Sequence, residues 1–173
     1  MGAHEDPVEV DPVVSIYRRA LPQVYGYLLP RCGSAVVAED LTAETFMAAV
    51  ATSRQGRVAD LNVAWLVGVA RHKLVDHWRR SAREQRNLAV VEQMTDGLED
   101  PWEEHLDTAS VHAALARLSA HHRAALTLRY LDGLSVAEVG EHLDRSVHAT
   151  ETLLVRARTA LRRIYREEVN HDG

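Results

Sequence analysis

Apolar residues return every three or four positions along most of the chain and nowhere alternate for long, a pattern that predicts helices and no sheet. Val13, Ile16, Tyr17, Ala20, Leu21, Val24, Tyr27 and Leu28 form the first stripe. Pro22 falls inside it and is expected to open a second helical piece, so that the helix is broken there. After a Cys32-Gly33-Ser34 turn, residues 35–53 carry Val36, Ala43, Phe46, Met47 and Val50 on one side, the expected core side. Asp40 and Glu44 then share the outward face with Val37, Leu41 and Ala48, a mixed acidic and apolar surface suited to a basic, partly apolar partner.

A loop over residues 55–61, with Gly56, precedes a long helix capped near Asn62. Val63, Leu66, Val67, Ala70, Leu74 and His77 are its expected inner side, and Trp78 is also read as core. Trp65, His72, Asp76, Arg79 and Arg83 form a band roughly opposite. Such a band of indole, imidazole and guanidinium matches what nucleic acid requires, cations for phosphates and planar groups for bases.

Periodicity lapses over residues 88–107, which contain Gly97 and Pro101, and this stretch reads as a linker. It resumes with Val111, Leu115 and Leu118, then Ala125, Leu128 and Leu131, before Asp132-Gly133 stops it. Ser135 with Glu138 three residues on is a capping box, opening a short helix through Val136, Val139 and Leu143. Asp144-Arg145 is a tight turn, and Ser146 caps a last helix with Leu153, Leu154, Ala157, Leu161 and Ile164 inward. Short helix, turn and longer basic helix make a helix-turn-helix. The expected fold is all-α, with a flexible tail over 1–11, a helical domain over 12–87, an acidic linker over 88–107, and a second helical domain over 108–173.

Composition agrees with that picture. In 173 residues, 46% hydrophobic and 26% charged is globular, while five prolines and 5% aromatics favour helices over strands. The single cysteine, Cys32, cannot form an internal disulfide and supplies no thiolate pair for zinc, so it reads as a small core or surface residue. No apolar run approaches the roughly 20 residues of a membrane span, and the first dozen residues lack a signal pattern. Cytoplasmic residence without membrane insertion is the expectation. The ten histidines raise a metal enzyme, but His121 and His122 are adjacent and no His-Glu-x-x-His pattern occurs, so no catalytic residue, cofactor or metal site is expected.

A net charge of −5 by itself opposes nucleic-acid binding, but its distribution reverses that reading. Arg71, Lys73, Arg79, Arg80, Arg83 and Arg86 face only Asp76 and Glu84, and Arg145, Arg156, Arg158, Arg162, Arg163 and Arg166 face only Glu151. Between these patches residues 88–110 carry Glu92, Asp96, Glu99, Asp100, Glu103, Glu104 and Asp107 with no Lys or Arg. The chain is basic, acidic, basic.

Four ordered blocks, "AEDLTAETFMAAV", "AWLVGVARHKLVDHWRR", "ALARLSAHHRAALTLRYLDGLSVAEVGEHLDRS" and "LLVRARTALRR", resemble extracytoplasmic-function sigma factors of bacterial RNA polymerase over about residues 11–166. The resemblance implies a protein that binds core RNA polymerase, at the beta-prime clamp helices and the beta subunit, and directs it to promoter DNA without catalysis of its own. It implies docking through Asp40, Leu41, Glu44 and Thr45. The minus-ten element would be melted and read by the loop with Arg57, Asp60 and Asn62, and by Trp65, Arg71, His72, Lys73, Asp76, Arg79, Arg80 and Arg83. The acidic linker would enter the RNA exit path, and an anti-sigma factor is an implied partner.

The helix-turn-helix would contact the minus-thirty-five element through Arg145, Ser146, His148, Thr150, Glu151, Thr152, Arg156 and Arg158. Here the chain departs from the family, whose typical members carry Lys and Arg where Glu151 and Leu153 stand. Glu151 repels phosphate and would suit a cytosine amino group or an Arg partner. Arg156 and Arg158 suit backbone contacts or packing. A stand-alone helix-turn-helix regulator is the alternative, although it gives no reason for the acidic face and the aromatic-basic helix of the first half.

Overall fold

The computed structural model describes residues 12–57, 61–88 and 108–169. Among them the chain is helical with no strand: α1 (Pro12–Cys32), α2 (Ala35–Arg54), α3 (Val63–Leu88), α4 (Thr108–Arg117), α5 (Ala120–Leu126), α6 (Val136–Leu143) and α7 (Val147–Val169). A π-helical turn, Thr127–Leu131, prolongs α5. The expected tail, the acidic linker from residue 89 on, and Asp60 lie outside the described residues. Two compact units result. The first holds α1 to Leu29, α2, and α3 to Lys73; the second holds Pro30–Ser34, α3 from Leu74, and α4 to α7.

In the first unit α1 is one helix, where the sequence predicts a break at Pro22. Pro22 sits on the exposed side, where a carbonyl left without its amide partner can turn to water. Ile16, Ala20, Val24 and Leu28, each four residues on, are the buried stripe. Tyr17 lies half in solvent with its ring edge-on to Phe46 at 4.7 Å.

The inward side of α2 differs from the expected one. Ala38, Leu41, Thr42, Thr45, Phe46, Ala49 and Thr52 are buried, whereas Val36, Ala43 and Met47 are exposed and Val50 is half-buried. The reason is that Thr42 and Thr45 donate their hydroxyls to the carbonyls of Ala38 and Leu41, each at 2.7 Å. A threonine bonded in this way has no unsatisfied polar group and packs much as valine does. At the end of α2 the Gly56 amide donates to the Ser53 carbonyl at 2.9 Å with Gly56 at φ 77°, a left-handed stop that glycine adopts without strain. The α3 start is as expected: Asn62 Oδ1 accepts from the Trp65 amide at 2.9 Å.

In the second unit Leu74, Val75, Trp78 and Ala82 of α3 are buried, and His77 is half-buried. Arg123 fastens the end of α4. Its guanidinium donates to the carbonyls of Leu115 (2.8 Å), Leu118 (3.2 Å) and Cys32 (3.2 Å), and to that of Ala116. These groups include carbonyls that a helix C-terminus leaves without amides. Burial lowers the Arg123 pKa from its ordinary value. Cys32 is buried, and desolvation pushes its thiol up to about 11 despite the nearby charges of Arg123 and Arg31. Asp132, expected only as a helix stop, has its side chain almost fully buried, and this accepts from Arg31 Nη2 at 2.8 Å.

The helix-turn-helix is built as its sequence implies. Ser135 Oγ accepts from the Glu138 amide at 3.2 Å, and Glu138 returns the bond to the Ser135 amide at 2.7 Å. Asp144 takes the left-handed conformation at φ 55°, and the Arg145 amide donates to the Gly140 carbonyl at 2.9 Å. Ser146 Oγ then caps α7 by accepting from the Ala149 amide at 3.2 Å. Leu153, Leu154, Ala157, Leu161 and Ile164 of α7 are all buried.

A Cβ on Gly140 would stand 2.8 Å from the Arg145 carbonyl oxygen and 3.0 Å from Thr150 Oγ1, and the nearer of these is backbone. Only a glycine lets the turn close this tightly. Gly140→Ala is expected to destabilise the protein by about 1 to 3 kcal/mol, as overpacked sites do, read as a lowered denaturant midpoint in circular dichroism. An unchanged midpoint would show that the turn opens without strain.

Candidate functional site

The outer face of α2 is the first candidate surface. Asp40 is exposed and Glu44 half-exposed, so both expected docking carboxylates are accessible. Leu41 and Thr45, the other two expected docking residues, are buried. Val36, 67% exposed, and Met47, 69% exposed, lie beside Asp40 and Ala43 on the same side of the helix. Sequence periodicity assigns both to the core because it counts only carbon-rich residues as inward. The signal it misses is Thr42 and Thr45, four and seven residues after Ala38.

In the same unit Lys73 Nζ lies 3.3 Å from Glu44 Oε2, joining an expected minus-ten cation to an expected docking carboxylate. Both side chains remain more than a third exposed. Such a pair contributes between nothing and about 1 kcal/mol, little enough for either partner to leave for a stronger contact.

Along α3 the remaining band residues differ in accessibility. Trp65, Arg71 and Lys73 are half-buried and His72 is exposed in the first unit. In the second unit Asp76, Arg80 and Arg83 are exposed and Arg79 is half-buried. Arg79 Nη2 donates to the His142 carbonyl, and the Arg79 carbonyl accepts from Arg83 Nε at 3.2 Å. Among the α3 arginines whose side chains are described, Arg80 and Arg83 are the exposed ones. In the preceding loop Arg57 is exposed, while the Asn62 side-chain oxygen serves the helix cap.

On the helix-turn-helix, burial sorts the expected contacts. Thr150 is fully buried, with Oγ1 donating to the Ser146 carbonyl at 2.9 Å, and so holds the helix start. Thr152 is half-buried and donates its hydroxyl to the His148 carbonyl at 3.1 Å. Arg158 Nη1 donates to the Tyr130 hydroxyl at 3.0 Å, whereas Arg156 is exposed. Arg145 is half-buried, and Ser146, His148 and Glu151 are exposed. Val147 and Val155, half in solvent, complete the outer face of α7 and are not among the residues the sequence singles out.

The two halves of the chain match two families. Residues 16–84 match Sigma-70 region 2, and residues 108–161 match Sigma-70, region 4. The chain is 34% identical over 165 residues to the ECF RNA polymerase sigma factor BldN of Streptomyces coelicolor, covering 90% of this chain and 61% of BldN, so it spans less than two thirds of that relative's length. It is 32% identical over 152 residues to the ECF RNA polymerase sigma factor SigL of Mycobacterium tuberculosis, covering 86% of this chain and 85% of SigL. In fold it is similar to the sigma factor RpoE of Bartonella quintana, solved with the anti-sigma factor NepR, at a TM-score of 0.52 and 22% identity over 91% of this chain and 98% of that one. With both sigma regions matched in order and relatives of this identity, the chain belongs to the extracytoplasmic-function sigma factors.

Proposed function

We propose that the chain binds core RNA polymerase through the outer face of α2 and carries it to promoters, with the loop and outer side of α3 engaging the minus-ten element and α7 the minus-thirty-five element. The observation that supports this reading best is the pair of large apolar side chains, Val36 and Met47, left in solvent around Asp40. A face of this kind is stabilised by covering it, and the clamp helices of the beta-prime subunit are its proposed cover. Matching of residues 16–84 to sigma region 2 favours this over a stand-alone regulator, which has no use for that region. In this reading the chain occupies the cytoplasm and performs no chemistry itself; no helix among the described residues is long and apolar enough to cross a membrane. The functional domains are residues 12–87 and 108–173, joined by the acidic linker. An anti-sigma factor is a further proposed partner, by analogy with NepR on the Bartonella protein.

Replacing Val36 and Met47 together with Asp tests the docking face. The double variant is expected to keep its thermal midpoint and to bind core polymerase at least about tenfold more weakly, the scale of losing apolar anchors at an interface. Leu41→Asp is expected to unfold the first unit. Unchanged polymerase affinity in the folded double variant would place docking elsewhere.

The exposed Arg80 and Arg83 are assigned to phosphates and Arg57 and Asn62 to bases. Arg80→Ala or Arg83→Ala should lower open-complex formation at all cognate promoters alike and flatten its salt dependence by up to about 0.7 to 0.9 log units per lost contact. Arg57→Ala should instead change which minus-ten sequences are used. A randomised minus-ten library, transcribed by each reconstituted holoenzyme, separates the roles. Changed base preference in the arginine variants of α3, with none in Arg57→Ala, would reverse them.

A further inference from the structure

We infer that Glu151 is a base-reading residue that selects cytosine in the minus-thirty-five element. This rests on the proposed docking of α7 in the major groove. Recognition helices contact base edges with the residues of their first turns. In α7 the exposed positions of those turns are Val147, His148, Glu151 and Val155, because Thr150, Leu153 and Leu154 are buried and Thr152 has its hydroxyl committed to the His148 carbonyl. None of the four is Lys or Arg. Glu151, its side chain 60% exposed, is thus the charged group at the centre of that face.

A carboxylate brought among phosphates is repelled, so it is tolerated only if a donor meets it. Sequence alone leaves two donors open, an arginine of the protein or a base amino group. Among the described residues Glu151 meets no arginine, and its ionic neighbour is His148, with Nδ1 at 3.9 Å from the carboxylate and its own side chain 93% exposed. That separation is too long for a hydrogen bond and leaves the carboxylate oxygens available.

In the major groove only two bases offer an amino group, cytosine through N4 and adenine through N6. Adenine places the N7 acceptor beside its donor, where a second carboxylate oxygen would be repelled. Cytosine has a C–H there. Glutamate therefore prefers cytosine, whereas glutamine, with one acceptor and one donor, prefers adenine.

The test uses holoenzyme reconstituted with the wild-type chain, Glu151→Gln and Glu151→Ala, transcribing a library randomised across the minus-thirty-five element beside a fixed minus-ten element. Wild type should favour cytosine at one position by about fivefold or more, the low end of a specific base contact. Glu151→Gln should move that position to adenine, and Glu151→Ala should flatten it while leaving the other positions as they were. If Glu151→Ala raises transcription from every member alike, or if neither variant changes base preference, Glu151 only repels phosphate and the inference fails while the docking of α7 stands. Absence of any minus-thirty-five preference in wild type would overturn both.

Discussion

A threonine hydroxyl donating to the carbonyl one helical turn earlier decides which faces this protein offers to its partners. The bond is present at Thr42 and Thr45 in α2 and again at Thr150 in α7. Burying a hydroxyl without a partner costs about 1 to 3 kcal/mol; with the bond made, the side chain presents the core with little more than its methyl group. At these three positions the threonine turns inward. The apolar or charged residues across the helix turn outward in consequence, Val36, Ala43 and Met47 on α2, and Val147, Glu151 and Val155 on α7.

A second constraint acts on the same recognition helix. Gly140 lets α6 approach the turn so closely that no side chain would fit against the Arg145 carbonyl and Thr150. Asp144 reverses the chain in a left-handed conformation, and Ser146 caps the start of α7. Thr150 is thus held twice, by its own hydrogen bond and by the glycine opposite. The outer face of α7 inherits its direction from that seat, since positions 148, 151 and 155 are fixed in angle once 150, 153, 154 and 157 are buried. Within the first unit the weak Lys73–Glu44 pair leaves α2 and α3 ready to exchange internal contacts for external ones.

Features written in single residues are legible in the sequence: the Ser135–Glu138 capping box, the Asn62 cap, the Asp132-Gly133 stop and the inner row of α7 all stand as read. Each depends on local chemistry within one or two turns. Features that depend on counting apolarity are less legible. Periodicity misassigns the α2 face because a back-bonded threonine is polar by composition and apolar by behaviour, and the continuity of α1 through Pro22 depends on that residue facing solvent. Arg123 is not legible at all as a helix fastening, because the carbonyls it gathers belong to Cys32 and to the end of α4. On the outer face of α2 the charges can be found from sequence and the exposed apolar residues cannot.

The reading of function turns on whether α2 meets the polymerase with its Val36–Met47 face while Leu41 and Thr45 stay inside. A photo-reactive amino acid placed singly at position 36, 47 or 23 tests this most directly, position 23 being an exposed site on α1. Holoenzyme formed with each labelled chain is irradiated and the linked polymerase subunit identified. Links to the beta-prime subunit are predicted from positions 36 and 47, and none from position 23. Linking from 23 alone, in holoenzyme that still initiates at its promoters, would contradict docking through α2.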